Sequence, residues 1–285
     1  MMAQQLAGKN ILVTGGSSGL GRAYVEAFRN AGCQVIYGDL IEASDLPGFL
    51  HCDVSSWESQ LKFFESAVEK LGRIDAVIAN AGIANKENFN DYEDVELQPP
   101  TRPRTSIVDV NLTGVIFSAK LSMHYFARQW REHDSIPNFK PIFIIGGSLA
   151  GYLDMPMSPI YSSTKFALRG LLCSLRNATS RIGARVAMIA PWHVETPQLG
   201  VQAVRLKEQG IPVAQMADVV GAVQRLILEP SSNGKCFAAV PRTVKAPNGY
   251  FDVDEAGQDE FWRDYNEMLI SEDERPLPQR GFAKN

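Results

Sequence analysis

The stretch from Tyr161 to Lys165 places a phenol and an ammonium group four residues apart. On a helix this spacing puts both side chains on one face. A phenol has an unperturbed pKa of about 10, and a nearby fixed positive charge lowers that pKa, so Lys165 would help Tyr161 to exchange a proton. Taken alone, the pair favours a plainer interpretation, a packed tyrosine beside a solvated lysine. Motifs elsewhere in the chain are needed to distinguish the catalytic interpretation from the structural one.

The length and the net charge of the chain restrict the number of domains and the classes of partner that it can have. The chain has 285 residues and a formal net charge of -4. This length suits one large α/β domain or two small ones, and the acidic balance argues against a binder of nucleic acid or of anionic membranes. The N-terminus lacks a signal-peptide pattern, and the apolar run at residues 142–145 is too short to span a bilayer. We therefore expect a soluble, cytoplasmic protein.

The cysteines and histidines do not predict a metal site. Neither residue type shows the spacing of metal ligands, and the cysteines are expected to be reduced thiols. They lie at Cys33, Cys52, Cys173 and Cys236, and at His51, His124, His133 and His193.

Short aliphatic runs alternate with longer segments of helical periodicity, which predicts a parallel sheet with helices on both faces. A helix ending near Lys70 is predicted to begin with a capping box formed by Ser55 and Glu58. A surface loop is expected at residues 86–104 and an extended tail over the last fifteen residues. The predicted strands are residues 10–13, 34–38, 76–79, 142–145, 184–189 and 236–240, and further helices are expected at about 105–131 and 159–180.

The first strand runs directly into a glycine-rich turn, which is followed by an amphipathic segment at residues 23–30. A turn between a strand and a helix lets the backbone approach a pyrophosphate, whose charge then lies at the positive end of the helix. The alternative, a plain tight turn, is disfavoured by this context. The expected contacts to a dinucleotide are Gly15, Ser17, Ser18, Gly19, Leu20 and Gly21.

Later strands also end in polar or small residues, at the sheet edge where open α/β folds bind ligands. Asp39, about twenty residues beyond the glycine turn, would accept hydrogen bonds from the ribose of NAD and repel a 2′-phosphate, so NAD is preferred over NADP. Asp53 and Asn80 could instead be loop-capping residues, a role that both residue types favour. The expected cofactor contacts at this edge are Asp39, Asp53, Val54, Asn80, Ala81 and Gly82.

Together these motifs resemble those of the classical short-chain dehydrogenase/reductase family over about residues 8–240. The resemblance implies an α/β fold, with one Rossmann-type, doubly wound domain of about seven parallel strands and helices on both faces, spanning residues 1–285. The family's catalytic tetrad maps to Asn111, Ser148, Tyr161 and Lys165.

The resemblance also assigns roles to these four residues. Tyr161 would act as general acid or base on a substrate oxygen to which Ser148 also hydrogen-bonds. Lys165 would favour the phenolate, and both Tyr161 and Lys165 would contact the cofactor. Asn111 would lie in a distorted helix that holds a water for proton relay; without the family it could equally be a polar residue on a wet helix face.

One stretch departs from the family pattern. Where the family usually has Pro-Gly, this chain has Pro191 and Trp192. The resemblance assigns Pro191, Val194 and Thr196 to the cofactor. Trp192 puts a positive φ at this position in doubt and adds an apolar face beside the active site. His193 could bind substrate or act as an extra acid or base, although a loop histidine is more often a structural residue.

The residues expected to surround the substrate are mainly apolar. Variable segments at about 192–215 and 245–270 are expected to cover the pocket, and their aliphatic, methionine and aromatic residues predict a hydrophobic substrate. The predicted function is the NAD-dependent interconversion of a secondary alcohol and its ketone. A non-redox isomerase, dehydratase or cyclase, and a dinucleotide sensor without turnover, remain alternatives that the intact tetrad disfavours. Helices 105–131 and 159–180 carry apolar residues on more faces than packing on a sheet requires. The resemblance implies that these helices pair across a twofold axis, so we expect a homodimer or homotetramer.

Overall fold

In the computed structural model the described part of the chain covers most of the sequence. It comprises residues 2–84, 102–132, 140–153, 155, 158–196, 204, 206, 208, 210–242 and 246–253. Predictions for most of the loop at 86–104, for residues 254–270 of the second covering segment and for the C-terminal tail lie outside these residues.

The described strands form one sheet of eight strands in the order β3-β2-β1-β4-β5-β6-β7-β8. The first seven are parallel, and β8 pairs antiparallel with β7. They are β1 Asn10–Thr14, β2 Gln34–Asp39, β3 Phe49–His51, β4 Ala76–Ala79, β5 Ile142–Gly146, β6 Arg185–Pro191, β7 Cys236–Ala239 and β8 Tyr250–Asp252. The Rossmann-type parallel sheet is confirmed. The short antiparallel strand β8 was not predicted, because three residues are too few for a periodic signal.

Helices cover both faces of this sheet. On one face the buried aromatic residues Tyr24 and Phe28 of α2 share a core with Val219 and Val223 of α7. On the other face, the core includes Phe63 and Phe64 of α3 together with residues of α5 and α6. The helices are α1 Met2–Leu6, α2 Gly19–Asn30, α3 Trp57–Leu71, α4 Ser106–Val108, α5 Gly114–Glu132, α6 Pro159–Ser180 and α7 Met216–Leu228.

The start of α3 differs by one residue from the prediction. The N-cap is Ser56, whose Oγ accepts a hydrogen bond from the Ser59 N–H at 3.2 Å. Ser55 lies one residue before the cap, and its N–H and its hydroxyl both donate to one carboxylate oxygen of Asp53, at 2.9 and 2.7 Å. The predicted capping box at Ser55 is therefore wrong. The predicted end of the helix near Lys70 is confirmed, since the helix ends at Leu71 and its C-cap, Gly72, has φ 75°.

The helix predicted at about 105–131 is interrupted. Between α4 and α5 the backbone forms a π-helical turn, Asp109–Thr113, with Asn111 at its centre. Turns of this kind are rare and occur often at functional sites. The expected distortion at Asn111 is confirmed.

Candidate active site

A cavity of about 470 Å³ opens at the carboxyl edge of the sheet, between the ends of β1, β2, β4, β5 and β6. Strand order reverses between β1 and β4, and ligands of open α/β sheets bind at such a switch point. The predicted cofactor, catalytic and substrate residues all line this cavity except Ser17, Gly21 and Asn111. Residues far apart in the sequence are thus brought to one place.

The glycine turn is held tightly against the end of β4. Gly15 has φ 70°, and a side chain on Gly21 would collide with the Gly15 carbonyl. The Asn80 amide donates to the carbonyls of Thr14 and Gly15, both at 3.3 Å. Asn80 therefore supports the turn, as in the loop-capping alternative, and also lines the cavity. Gly21 acts through this close packing and does not face the cavity.

Asp39 lies at the end of β2 with its carboxylate fixed by backbone groups. One oxygen accepts from the Ser17 N–H at 3.0 Å and the other from the Leu40 N–H at 2.8 Å. The Ser17 hydroxyl donates to the Ile41 carbonyl. Ser17 thus joins the glycine turn to the loop after β2, and Asp39 presents a fixed negative charge to the cavity.

Side-chain hydrogen bonds hold the segment after β3 in place. The carboxylate of Asp53 is bound by Ser55, which fits the loop-capping alternative, although Asp53 also lines the cavity. The fully buried Gln60 donates to the carbonyls of Val54 and Gly114, at 2.6 and 2.7 Å. Gln60 was missed in the sequence because a single glutamine in an amphipathic helix gives no sign that it will be buried.

Three predicted catalytic side chains meet at the centre of the cavity. Ser148, directly after β5, caps the short 3-10 turn Leu149–Gly151 by accepting from the Ala150 N–H at 3.1 Å, and it forms a hydrogen bond with Tyr161. The Lys165 Nζ lies 5.5 Å from the centre of the Tyr161 ring and donates to the Gly146 carbonyl at 2.8 Å. The helical pairing of Tyr161 and Lys165 is as the sequence predicted.

The proton affinities of this pair differ from the sequence-based expectation. Burial raises the pKa of Tyr161, and the hydrogen bond with Ser148 opposes that effect only in part. The expected lowering by Lys165 is not found, because desolvation of the phenolate has the larger effect. Burial also lowers the pKa of Lys165 from 10.5 to about 8. Lys165 is thus a buried ammonium group whose charge is easily lost.

Asn111 has both polar ends of its side chain engaged. Its Oδ1 accepts from the Ile83 N–H, and its Nδ2 donates to the Ile83 carbonyl, each at 2.8 Å. It is 1% exposed, so the alternative of a polar residue on a wet face is wrong. Asn111 fixes the chain that follows β4 against the π-helical turn. Its role in proton relay stays a prediction.

Trp192 and His193 line the cavity beyond the end of β6. The Trp192 backbone N–H donates to Ala239 at 2.8 Å, and its indole N–H donates to the Pro212 carbonyl at 3.2 Å. The rings of Trp192 and His193 meet edge to face at 4.6 Å. Burial lowers the pKa of His193, so its imidazole is neutral at pH 7.

The described residues contain no group of three or more His, Cys, Asp or Glu side chains that could hold a metal ion. Among the same residues, no helix is long and apolar enough to cross a membrane.

The fold and the site together define a Rossmann-type α/β enzyme with a serine, a tyrosine and a lysine at the carboxyl edge of its sheet. Residues 9–205 match the profile of a family described as short chain dehydrogenase. The chain belongs to the short-chain dehydrogenase/reductase family, an oxidoreductase family that uses nicotinamide cofactors. The resemblance stated from the sequence motifs is confirmed.

Relatives of similar length support this assignment. The 5'-hydroxyaverantin dehydrogenase of Dothistroma septosporum is 34% identical over 282 residues, covering 89% of each chain. The NADP-dependent dehydrogenase M3 of a Phoma species is 30% identical, covering 87% of this chain and 79% of that protein. The structure of Thermoplasma acidophilum aldohexose dehydrogenase matches with a TM-score of 0.70 at 22% identity, over 82% of this chain and 93% of that one, and this likeness shows the fold.

Proposed function

We propose that the protein is an NAD-dependent oxidoreductase that interconverts a hydrophobic secondary alcohol and its ketone, within a single domain spanning residues 1–285. The observation that carries the proposal is the convergence of Ser148, Tyr161 and Lys165 on the cavity that the glycine turn also borders. The single sheet formed by the described strands supports one domain.

The residues at the cavity fit a dinucleotide. The backbone of Gly15, Ser18 and Gly19 borders the cavity at the start of α2, which suits close approach of a pyrophosphate. Asp39, which lines the cavity, would accept hydrogen bonds from a ribose. Thr196 lies beside Gly19, and Thr196, Pro191 and Val194 line the same cavity, where they would contact a nicotinamide. When bound, the cofactor supplies the acceptor or the donor of the hydride.

The protein's own groups handle the proton. The Tyr161 hydroxyl gives a proton to the substrate oxygen in reduction and takes it back in oxidation. Ser148 hydrogen-bonds the same oxygen and orients it. Lys165 holds a positive charge close to Tyr161, where it stabilises the phenolate that forms during the reaction, and the Gly146 carbonyl keeps the ammonium group in place.

The walls of the cavity support a hydrophobic substrate. Near the catalytic serine they are formed by Leu149, Met155 and Trp192, with His193 as a neutral polar group among them. A pocket of apolar walls with few polar groups suits a bulky alcohol or ketone more than a phosphorylated one. The similar protein of Dothistroma septosporum is by name a dehydrogenase of a hydroxylated compound.

The test of the proposed function is a screen of hydrophobic secondary alcohols with NAD and, separately, with NADP, followed by the absorbance of the reduced nicotinamide. Turnover of such alcohols with NAD supports the proposal. If a non-redox product forms, or if only charged alcohols react, another function has to be assigned.

The preference for NAD is expected to depend on Asp39. Its carboxylate would repel a 2′-phosphate at close range, a juxtaposition that costs on the order of several kcal/mol. Asp39→Ala is therefore expected to weaken NAD binding and strengthen NADP binding. Dissociation constants for both cofactors, measured on the wild type and the variant, check this expectation. Similar proteins include NADP-dependent ones, so equal affinities in the wild type would show that Asp39 does not select the cofactor.

We expect a homodimer or homotetramer. Helices α5 and α6 expose large apolar side chains, with Ile116 43% and Phe166 47% exposed. Light scattering at micromolar concentration should give a multiple of the chain mass, and Phe166→Lys should lower it. The matched control is Phe251→Lys, which changes an equally exposed phenylalanine on β8 and should leave the mass unchanged. A monomeric wild type would contradict the prediction.

A further inference from the structure

The arginine that follows the glycine turn is held by two carboxylates. Arg22 donates from Nη1 and Nη2 to the two oxygens of Asp45, at 3.0 and 2.6 Å, and from Nε to Glu26 at 2.8 Å. Asp45 lies in the loop after β2, the same loop that Ser17 joins to the glycine turn through the Ile41 carbonyl. The Arg22 guanidinium thus links helix α2 to the loop that follows Asp39.

Arg22 is the first basic residue after the glycine turn. The glycine turn at residues 14–21 and the loop at residues 39–45 contain no lysine or arginine, and the loop contributes three acids. Arg22 lies in the first turn of α2, with its N–H donating to the Ser18 carbonyl. Arg22 therefore lies within one helical turn of the glycine turn that carries Ser17 and Ser18.

The net negative charge of the cluster formed by Arg22, Glu26 and Asp45 disfavours binding of the 2′-phosphate of NADP. Arg22, Glu26 and Asp45 together carry a formal charge of about -1, and the carboxylate of Asp39 adds another negative charge nearby. The bidentate contact with Asp45 uses both terminal nitrogens of the guanidinium, the fork that otherwise suits a phosphate. Arg22 does not line the cavity in this arrangement.

We propose that Asp45 is a cofactor-specificity residue, which holds the Arg22 guanidinium away from the 2′-position of the cofactor and so withholds it from a 2′-phosphate. This inference rests on the proposed NAD-binding function and adds a second determinant to it. Asp39 would repel the 2′-phosphate directly, whereas Asp45 would keep the Arg22 guanidinium from attracting it.

The experiment measures dissociation constants of NAD and NADP on the full-length protein by titration calorimetry, without substrate. Asp45→Asn keeps the size of the side chain, removes its charge and breaks the bidentate contact with Arg22, because the amide nitrogen cannot accept a hydrogen bond. NADP affinity is expected to rise about tenfold, the size of one added hydrogen bond between charged groups, with NAD affinity nearly unchanged. The gain should shrink at high ionic strength, because Arg22 and the phosphate are both near the surface.

Two further variants test whether the gain in NADP affinity requires the freed Arg22 side chain or only the loss of one negative charge. Glu26→Gln removes one negative charge from the same cluster but leaves the bidentate contact between Arg22 and Asp45, so its NADP affinity should rise by less than about twofold. In the double variant Arg22→Gln with Asp45→Asn, the gain should be lost, because the cation itself is absent. Melting temperatures of all variants report whether each is folded.

Several results would overturn the inference. An unchanged ratio of NAD to NADP affinity in folded Asp45→Asn, an equal gain in Glu26→Gln, or a gain that persists without Arg22 would each show that Asp45 is not a selector. These outcomes leave the proposed NAD function standing if the wild type binds NAD. A wild type that binds neither cofactor would overturn both proposals.

Discussion

Replacing Tyr161 with phenylalanine is expected to lower turnover by about a hundredfold or more, while the dissociation constant for NAD changes little. The substitution deletes only the oxygen that exchanges a proton with the substrate, and general acid or base catalysis contributes at least about this factor. The ring keeps its place beside Lys165, so the shape of the cavity is preserved. Steady-state kinetics and cofactor titration measure the two quantities separately.

Tyr125→Phe is the matched control for this prediction. Tyr125 lies buried in α5, stacked on Phe64, and burial raises its pKa as it does that of Tyr161. Loss of this hydroxyl should leave turnover within about twofold of the wild type, as expected away from the site. Retained turnover in Tyr161→Phe would mean that another group carries the proton.

Replacing Lys165 with methionine is expected to change activity and stability in opposite directions. Turnover should fall by about a hundredfold or more, because the charge that stabilises the Tyr161 phenolate is lost. The free energy of unfolding at pH 7 should rise by about 1 to 2 kcal/mol, since a buried ammonium group is costly and the new side chain is apolar, although the Gly146 carbonyl loses its hydrogen bond. A buried charge kept at a stability cost is characteristic of a functional site.

The stability gain should depend on pH in a defined direction. Burial lowers the pKa of Lys165 to about 8, while the unfolded chain keeps the ordinary value of 10.5. Between these values the unfolded state binds more protons than the folded state, so Lys165 destabilises the wild type fully below pH 8 and less and less toward pH 10.5. The difference between Lys165→Met and the wild type should therefore be largest at pH 7 and shrink as the pH rises.

Denaturant unfolding at several pH values checks this prediction. Lys140→Met is the control, because Lys140 is exposed and its loss should change stability by less than about 0.5 kcal/mol. A lower stability of Lys165→Met at pH 7 would show that the hydrogen bond to Gly146 outweighs the cost of burying the charge.

Much of the fold could be predicted because its signals are local. The strands β1, β2, β4, β5 and β6 each contain a run of consecutive apolar residues, which is typical of strands covered on both faces. The glycine turn could be placed because it lies between such a strand and a helix. The misplaced cap of α3 shows the limit of such signals. Ser55 and Ser56 have the same chemistry and differ in the contacts they make, Ser55 with the Asp53 carboxylate and Ser56 with the Ser59 N–H.

Side-chain pairing across the sequence was much harder to predict. Gln60, Asn111 and Arg22 each take partners that the chain brings near only after folding: the Val54 carbonyl, the Ile83 backbone and the Asp45 carboxylate. The raised pKa of Tyr161 has the same origin, because desolvation depends on what surrounds a group in space and not on its neighbours in the chain.

By itself, the sequence determined the class of fold, the order of its strands and helices and the residues that gather at one sheet edge, because periodicity and turn chemistry act over a few residues. Only the tertiary structure decided which of those residues face the cavity, which ones instead hold the backbone in place, and how easily Tyr161 and Lys165 change charge. Those properties depend on burial and on contacts between distant segments, such as Asn80 with the glycine turn and Arg22 with Asp45.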